Sequence, residues 1–334
     1  MDTFFPQLLN GLDKGGAYAL IALGLTLIFG TLGVVNFSHG ALFMLGGMSI
    51  FGFQWLIGLS QEVPTGELSP WGTEVMAQVP YLQTWLGDGT YAWISEYSLL
   101  LGLIPAVLIV AGYALALERG LIRFFYKRPH SDQILVTFGM AIVLQEVVKH
   151  IVGANALPVD MPKFMKGTSD VLGVSYPTVK LIYIGFSAAV IAAVFAFINM
   201  TRFGMVVRGG MEDRQMVSLL GINIERRFTI VFAIGAIVAG LAGAMASPFF
   251  KPSYDIGMTF LTISFVVVVV GGMGSLEGAV LAGFVLGIVE SFASLPVVTS
   301  IIPALDQIIL YLVAVVVLLV RPRGLLGKKG VMES

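Results

Sequence analysis

Apolar residues in this chain come in long continuous runs rather than in alternation. Stretches such as Ile104–Leu117, Leu181–Ile198, Phe228–Ala246, Phe260–Val270 and Ile301–Val320 recur along the whole length. Alone or with their flanks, these runs supply the roughly 20 apolar residues a helix needs to cross a hydrocarbon core of about 30 Å. The valines at 266–270 follow one another with no polar residue at every second position, which argues against a membrane β-barrel. The pattern therefore predicts an all-α, polytopic transmembrane bundle forming a single domain over 1–334. Nine spans are expected, at 15–34, 41–59, 98–117, 133–152, 179–199, 228–247, 259–273, 278–294 and 302–320. A short re-entrant element near Asn36 would make the count eight or ten without moving the large loops.

Composition agrees with this pattern. Hydrophobic residues make up 57% of the chain and charged residues 12%, with a mean hydropathy of +0.91, so water is the wrong solvent for it. The amino-terminal segment lacks the basic start and small-residue cleavage site of a secretory signal, so the first apolar segment is expected to be retained. The net charge of −1 is uninformative, but its placement is not. Thirteen of the nineteen basic residues fall in alternate loops, at Arg119–Arg128, Arg202–Arg227 and Arg321–Lys329. By the positive-inside rule these loops and the carboxyl terminus face the cytoplasm. The segment 60–97 carries five acidic residues, Trp71, Trp85 and Trp93, and no Lys or Arg, and is expected to lie at the outer interface.

Several chemistries are excluded. With no cysteine there is neither disulfide nor thiolate chemistry. No phosphate-binding G-x-x-x-x-G-K-[ST] loop occurs, so the chain has no P-loop route to ATP hydrolysis. His39, His130 and His150 are too scattered for a metal site, and no G-x-S-x-G elbow occurs. Nothing in the charge distribution points to nucleic acid.

Polar groups among the apolar runs are the candidates for function. Asn36, Ser38, His39 and Gly40 sit between two apolar segments. They are either a Gly-punctuated break beside a translocation path or a turn in which Asn36 and Ser38 cap the next helix. Glu146 is placed to pair with Lys149 one turn on, Glu277 falls in a short turn, and Glu290 has no evident partner. Small residues recur at four-residue spacing at Gly235, Ala239 and Gly243, at Gly274 and Gly278, and at Gly283 and Gly287. With Gly271 and Gly272 they are read as helix-packing seams.

Between 200 and 228 a charged, helix-capable island interrupts the apolar pattern. Met211–Leu220 reads as one short helix with Glu212, Asp213 and Arg214 at its start and Met216, Val217, Leu219 and Leu220 on one side. Gly221, Ile222 and Asn223 then turn the chain. An island of that size can dock a partner or lie on lipid headgroups, but it cannot house a catalytic domain.

Three groups of residues carry a family resemblance. They are Val34–Gly40 followed by Met44–Gly46, Glu212–Met216 with Leu220–Asn223, and Gly271–Ser275 with Gly278–Val280. In that order they resemble the permease subunits of branched-chain amino acid ABC importers. The resemblance implies a multi-pass protein of the bacterial inner membrane that pairs with a second, related permease subunit. It further implies two cytoplasmic ATPase subunits, which bind the ATP so that this chain needs no cofactor, and an extracytoplasmic solute-binding protein. Glu212, Asp213, Arg214, Met216, Leu220, Gly221, Ile222 and Asn223 then match the cytoplasmic element that couples to the ATPase. Branched-chain or other amino acids, urea, short amides and aromatic acids are all substrates consistent with it. A sugar-importer permease of the same superfamily and an ion-coupled secondary transporter built around Glu290 are the rival readings.

Overall fold

In the computed structural model, residues 3–126, 128–212 and 214–327 are described, without the side chains of residues 212, 214, 215, 224 and 225. Lys127, Lys328 and Lys329, counted above for orientation, lie outside the described residues.

The apolar runs fold as helices in the expected order. These are α1 (Phe4–Leu32), α2 (His39–Ile57), then the insertion of hairpin β1 (Ser60–Leu68) and β2 (Glu74–Pro80) with short helices α3 (Tyr81–Leu86) and α4 (Asp88–Glu96). Next come α5 (Ser98–Gly120), α6 (His130–Val152), a second hairpin β3 (Thr168–Val171) and β4 (Val174–Pro177), and α7 (Thr178–Met200). The charged island forms α8 (Arg202–Glu212) and α9 (Arg214–Leu219). After it follow α10 (Ile224–Phe250), α11 (Ile256–Gly271), α12 (Leu276–Ala293), α13 (Pro296–Ile301) and α14 (Leu305–Val320). Seven of these helices are long and apolar enough to cross a membrane, and the shorter apolar helices α11 and α14 complete the nine expected spans. The two antiparallel hairpins are the addition to the all-α expectation, and both lie in loops between spans.

Helix α1 is the axis of the bundle. Its run from Ala17 to Ile28 is apolar on every side but for Thr26 and almost wholly buried, as expected of a helix surrounded by others. It packs against α7, α10, α11 and α12. Helix α2 sits beside it against α5, α10 and α11, while α6 and α14 are peripheral and leave broad apolar faces exposed. The small residues lie where the helices cross. A methyl placed on Gly287 would stand 2.5 Å from Gly15 Cα, and one on Gly283 would stand 2.7 Å from Ala19 Cα. In lipid there is little hydrophobic gain from helix association, so this backbone-to-backbone approach supplies the dispersion contacts that hold α1 to α12.

The structure starts the first span eleven residues earlier than the sequence reading, at Phe4 instead of 15. The physical reason is charge pairing. Asp13 pairs with Lys180 of α7 at 2.9 Å and Lys14 with Glu290 of α12 at 2.6 Å, so α1 carries both charges into the bundle. This also corrects the reading that Glu290 lacks a partner, since Tyr18 donates to its second oxygen at 2.6 Å. The expected Glu146–Lys149 pair forms at 3.4 Å on the exposed side of α6.

Candidate functional site

Two local features could connect this bundle to transport: the break between α1 and α2, and the α8–α9 island. The break begins at Gly33, whose φ of 65° ends α1 in the left-handed conformation that glycine adopts without cost. Residues 34–38 then run back beside α1. His39, the first residue of α2, places Nε2 3.0 Å from the carbonyl oxygen of Ile21. Ile21 lies eleven residues before the end of α1, about 16 Å along that helix, so the His39 ring reaches well inside the bundle. A carbonyl can only accept, so Nε2 is the protonated ring nitrogen and Nδ1 the acceptor.

Asn36, Ser38 and His39 are fully buried at this break. The Asn36 side chain accepts from Ser38 N at 3.0 Å and from Ser38 Oγ at 2.6 Å, which closes the turn. Both bonds lie ahead of the helix and no side chain caps α2, so the expectation that Asn36 and Ser38 cap it is not met. Asn36 Nδ2 and His39 Nδ1 have no hydrogen-bond partner among the described residues, and neither has Thr26 Oγ1 of α1. Gly40 allows α2 to cross α11, since a methyl there would stand 2.5 Å from Leu261 Cβ. Thr137 of α6, which sequence reasoning missed, accepts from Phe37 N at 3.0 Å, and Phe37 stacks on Phe265 at 4.5 Å between ring centres. No local signal marks Thr137, because its partner is a hundred residues away.

The Met211–Leu220 helix expected in the island is described on either side of residue 213, as the end of α8 and as α9. Asp213 lies outside the described residues, as do the side chains of Glu212 and Arg214. Val217 turns inward and is buried near Gly209, which corrects its assignment to a common face with its apolar neighbours. Met216, Leu219 and Leu220 point out, at 56%, 82% and 72% exposure. Gly221, at φ 76°, turns the chain, Ile222 tucks against the core, and the Asn223 side chain caps α10 by accepting from Arg226 N at 3.0 Å.

The island touches the bundle beside the break. A methyl on Gly30, in the last turn of α1, would stand 2.6 Å from Met211 Cε of α8 and 3.5 Å from Gly274 Cα. Gly272 and Gly274, at φ 104° and 85°, form the tight α11–α12 turn, and Ser275 caps α12 by accepting from Gly278 N. Gly271 crosses the start of α12 closely, since a methyl on it would stand 2.7 Å from Ala279 N. The segment 321–327 folds back onto this turn: Leu325 N donates to Val270 O at 2.8 Å and Leu326 N to Gly271 O at 3.0 Å. So Gly271, Gly272, Gly274 and Gly278 gather at the end of the bundle that carries the island. Gly283 and Gly287 lie further along the α1–α12 seam.

A family described as the branched-chain amino acid transport system permease component matches residues 7–318. The chain belongs to that family. It is 29% identical over 329 residues to the high-affinity branched-chain amino acid transport system permease protein LivH of Salmonella typhimurium, covering 97% of this chain and 96% of the relative. Against the corresponding permease protein BraD of Pseudomonas aeruginosa it is 27% identical over 333 residues, with 97% and 96% covered. A probable branched-chain amino acid permease of Methanocaldococcus jannaschii is 23% identical over 324 residues, covering 92% and 88%. No solved structure matches the chain. Membership makes this a multi-pass membrane permease, a transport subunit by family. Among its described residues there is no group of three or more His, Asp or Glu able to hold a metal ion.

Proposed function

We propose that the chain is the permease subunit of a binding-protein-dependent ABC importer for branched-chain or closely related amino acids. It works with a second permease subunit, two cytoplasmic ATPases that bind the ATP, and an extracytoplasmic binding protein. The island, the α11–α12 turn and the carboxyl terminus face the cytoplasm in this reading. ATP-driven closure of the motor pushes on α9, α8 carries the movement through Met211 to Gly30, and the adjoining break between α1 and α2 changes its packing. Solute passes by alternating access, with Asn36, Ser38, His39 and Gly40 beside its path. The observation that carries the reading is the outward display of Met216, Leu219 and Leu220 on a segment anchored through Val217.

Such a surface suits a docking role better than adsorption to lipid, because the island's helices are short and its apolar patch is small. The ion-coupled alternative rests on Glu290, and it is disfavoured because both oxygens of that carboxylate are engaged by Lys14 and Tyr18. The test is Met216→Asp with Leu220→Asp. The variant inserts normally but loses binding-protein-dependent uptake and stimulation of the ATPase; full uptake by the inserted variant rejects the assignment.

A further inference from the structure

The insertion between α2 and α5 does more than lie at the membrane boundary. Its short helices roof an open groove of about 570 Å³, a volume within the roughly 300–1,000 Å³ of small-ligand clefts. Phe53 and Ile57 of α2 and Ile104 of α5 form the floor, and Leu86 of α3 with Trp93 and Ile94 of α4 form the roof. All of the residues that line it are apolar. We propose that this groove seats one acyl chain of a phospholipid from the leaflet beside the insertion.

Three observations select that occupant. The floor belongs to two membrane-spanning helices, and from Ile104 the exposed apolar strip of α5 continues through Leu108 and Ile109, so the groove opens onto the surface that meets hydrocarbon. The Trp93 indole N–H is the one hydrogen-bonding side-chain group among its lining residues, so a polypeptide loop entering it would leave most of its backbone groups unsatisfied, whereas a hydrocarbon chain needs no partner. Trp85 and Trp93 stand on the two roof helices, and tryptophan settles at the level of lipid headgroups.

The charge of the insertion then bears on the headgroup. Residues 60–97 hold five carboxylates and no Lys or Arg, and with Glu96 paired to Lys163 at 3.9 Å they leave Glu62, Glu67, Glu74 and Asp88. A headgroup that bears an ammonium is favoured there over one that is net anionic. The inference does not depend on the transport reading.

The test is native mass spectrometry of the full-length protein, reconstituted with equal amounts of phosphatidylethanolamine and phosphatidylglycerol and extracted in mild detergent. One retained phospholipid is expected, with the ethanolamine lipid favoured by about fivefold, the effect of roughly one surface charge. Ile94→Trp and Leu86→Trp fill the groove from different roof helices and abolish the adduct. Leu108→Trp, on the same exposed strip but outside the groove, leaves it in place. Equal adducts in all three variants would mean annular lipid only and overturn the proposal. So would the absence of retained lipid from the unmodified protein, or its replacement by a bound polypeptide.

Discussion

Replacing Glu290 by alanine strands two partners at once. Lys14 Nζ loses an ion pair of 2.6 Å, and the buried Tyr18 hydroxyl loses an acceptor at 2.6 Å. The side chains of Lys14 and Glu290 are 30% and 14% exposed, so solvent screens the pair in part. Breaking a fully buried pair costs about 3–5 kcal/mol and an exposed one about 0–1. Partial exposure puts this change at roughly 2–3 kcal/mol, of which the Tyr18 hydroxyl accounts for about 1. Removing both charges with Lys14→Met and Glu290→Ala together leaves no stranded ion and recovers about 1–2 kcal/mol relative to the summed single changes. The assay is unfolding of the purified protein in detergent, followed by tryptophan fluorescence, for both single variants and the double. A Glu290→Ala variant within about 0.5 kcal/mol of the parent, or a double variant that merely sums the singles, refutes the reasoning. Uptake separates the functional readings: Glu290→Gln retains transport if the pair is structural, and loses it at unchanged stability if the carboxylate carries an ion.

Further expectations concern the close contacts and the break. Gly287→Val drives a branched side chain into the Gly15 backbone and destabilises by at least 1–3 kcal/mol, roughly the cost of overpacking, whereas Gly112→Ala, with open space at its Cβ, leaves the melting temperature unchanged. Thr137→Val removes the acceptor of Phe37 N and costs about 1–3 kcal/mol, read as a lower unfolding midpoint. Asn36→Ala with His39→Ala alters uptake kinetics in the inserted protein; unchanged kinetics assign the break a purely structural turn. Gly33→Val forces a β-branched residue to φ 65° and lowers stability by about 1–2 kcal/mol without changing membrane insertion.

The spans were legible because hydrophobic length is a property of composition, and the bilayer reads composition directly. Helix α11 illustrates the limit, since its valine run announced a span but not that Gly40 lets α2 cross it. The partners of Glu290 were invisible because they lie 276 and 272 residues away, on a helix whose charged turn looked like a flank. The island announced itself by its charge, yet Val217 could be assigned inward only once α8 lay beneath α9. The depth of the break was hidden for a similar reason. Nothing near Asn36 shows that the chain doubles back until His39 meets Ile21.

The central position of α1 sets a timing problem for biogenesis. This helix leaves the ribosome well before α12, whose glycines interlock with it and which begins at Leu276. At about 5–20 residues per second, the partner arrives roughly 15–50 s later. Asp13 gains Lys180 when α7 is made, but until α12 follows Lys14 has no Glu290 beside it, so α1 is finished long after it is synthesised. A nascent permease of this design needs shelter for its first helix, from the insertion machinery or from water at the headgroup layer, long after that helix has been made.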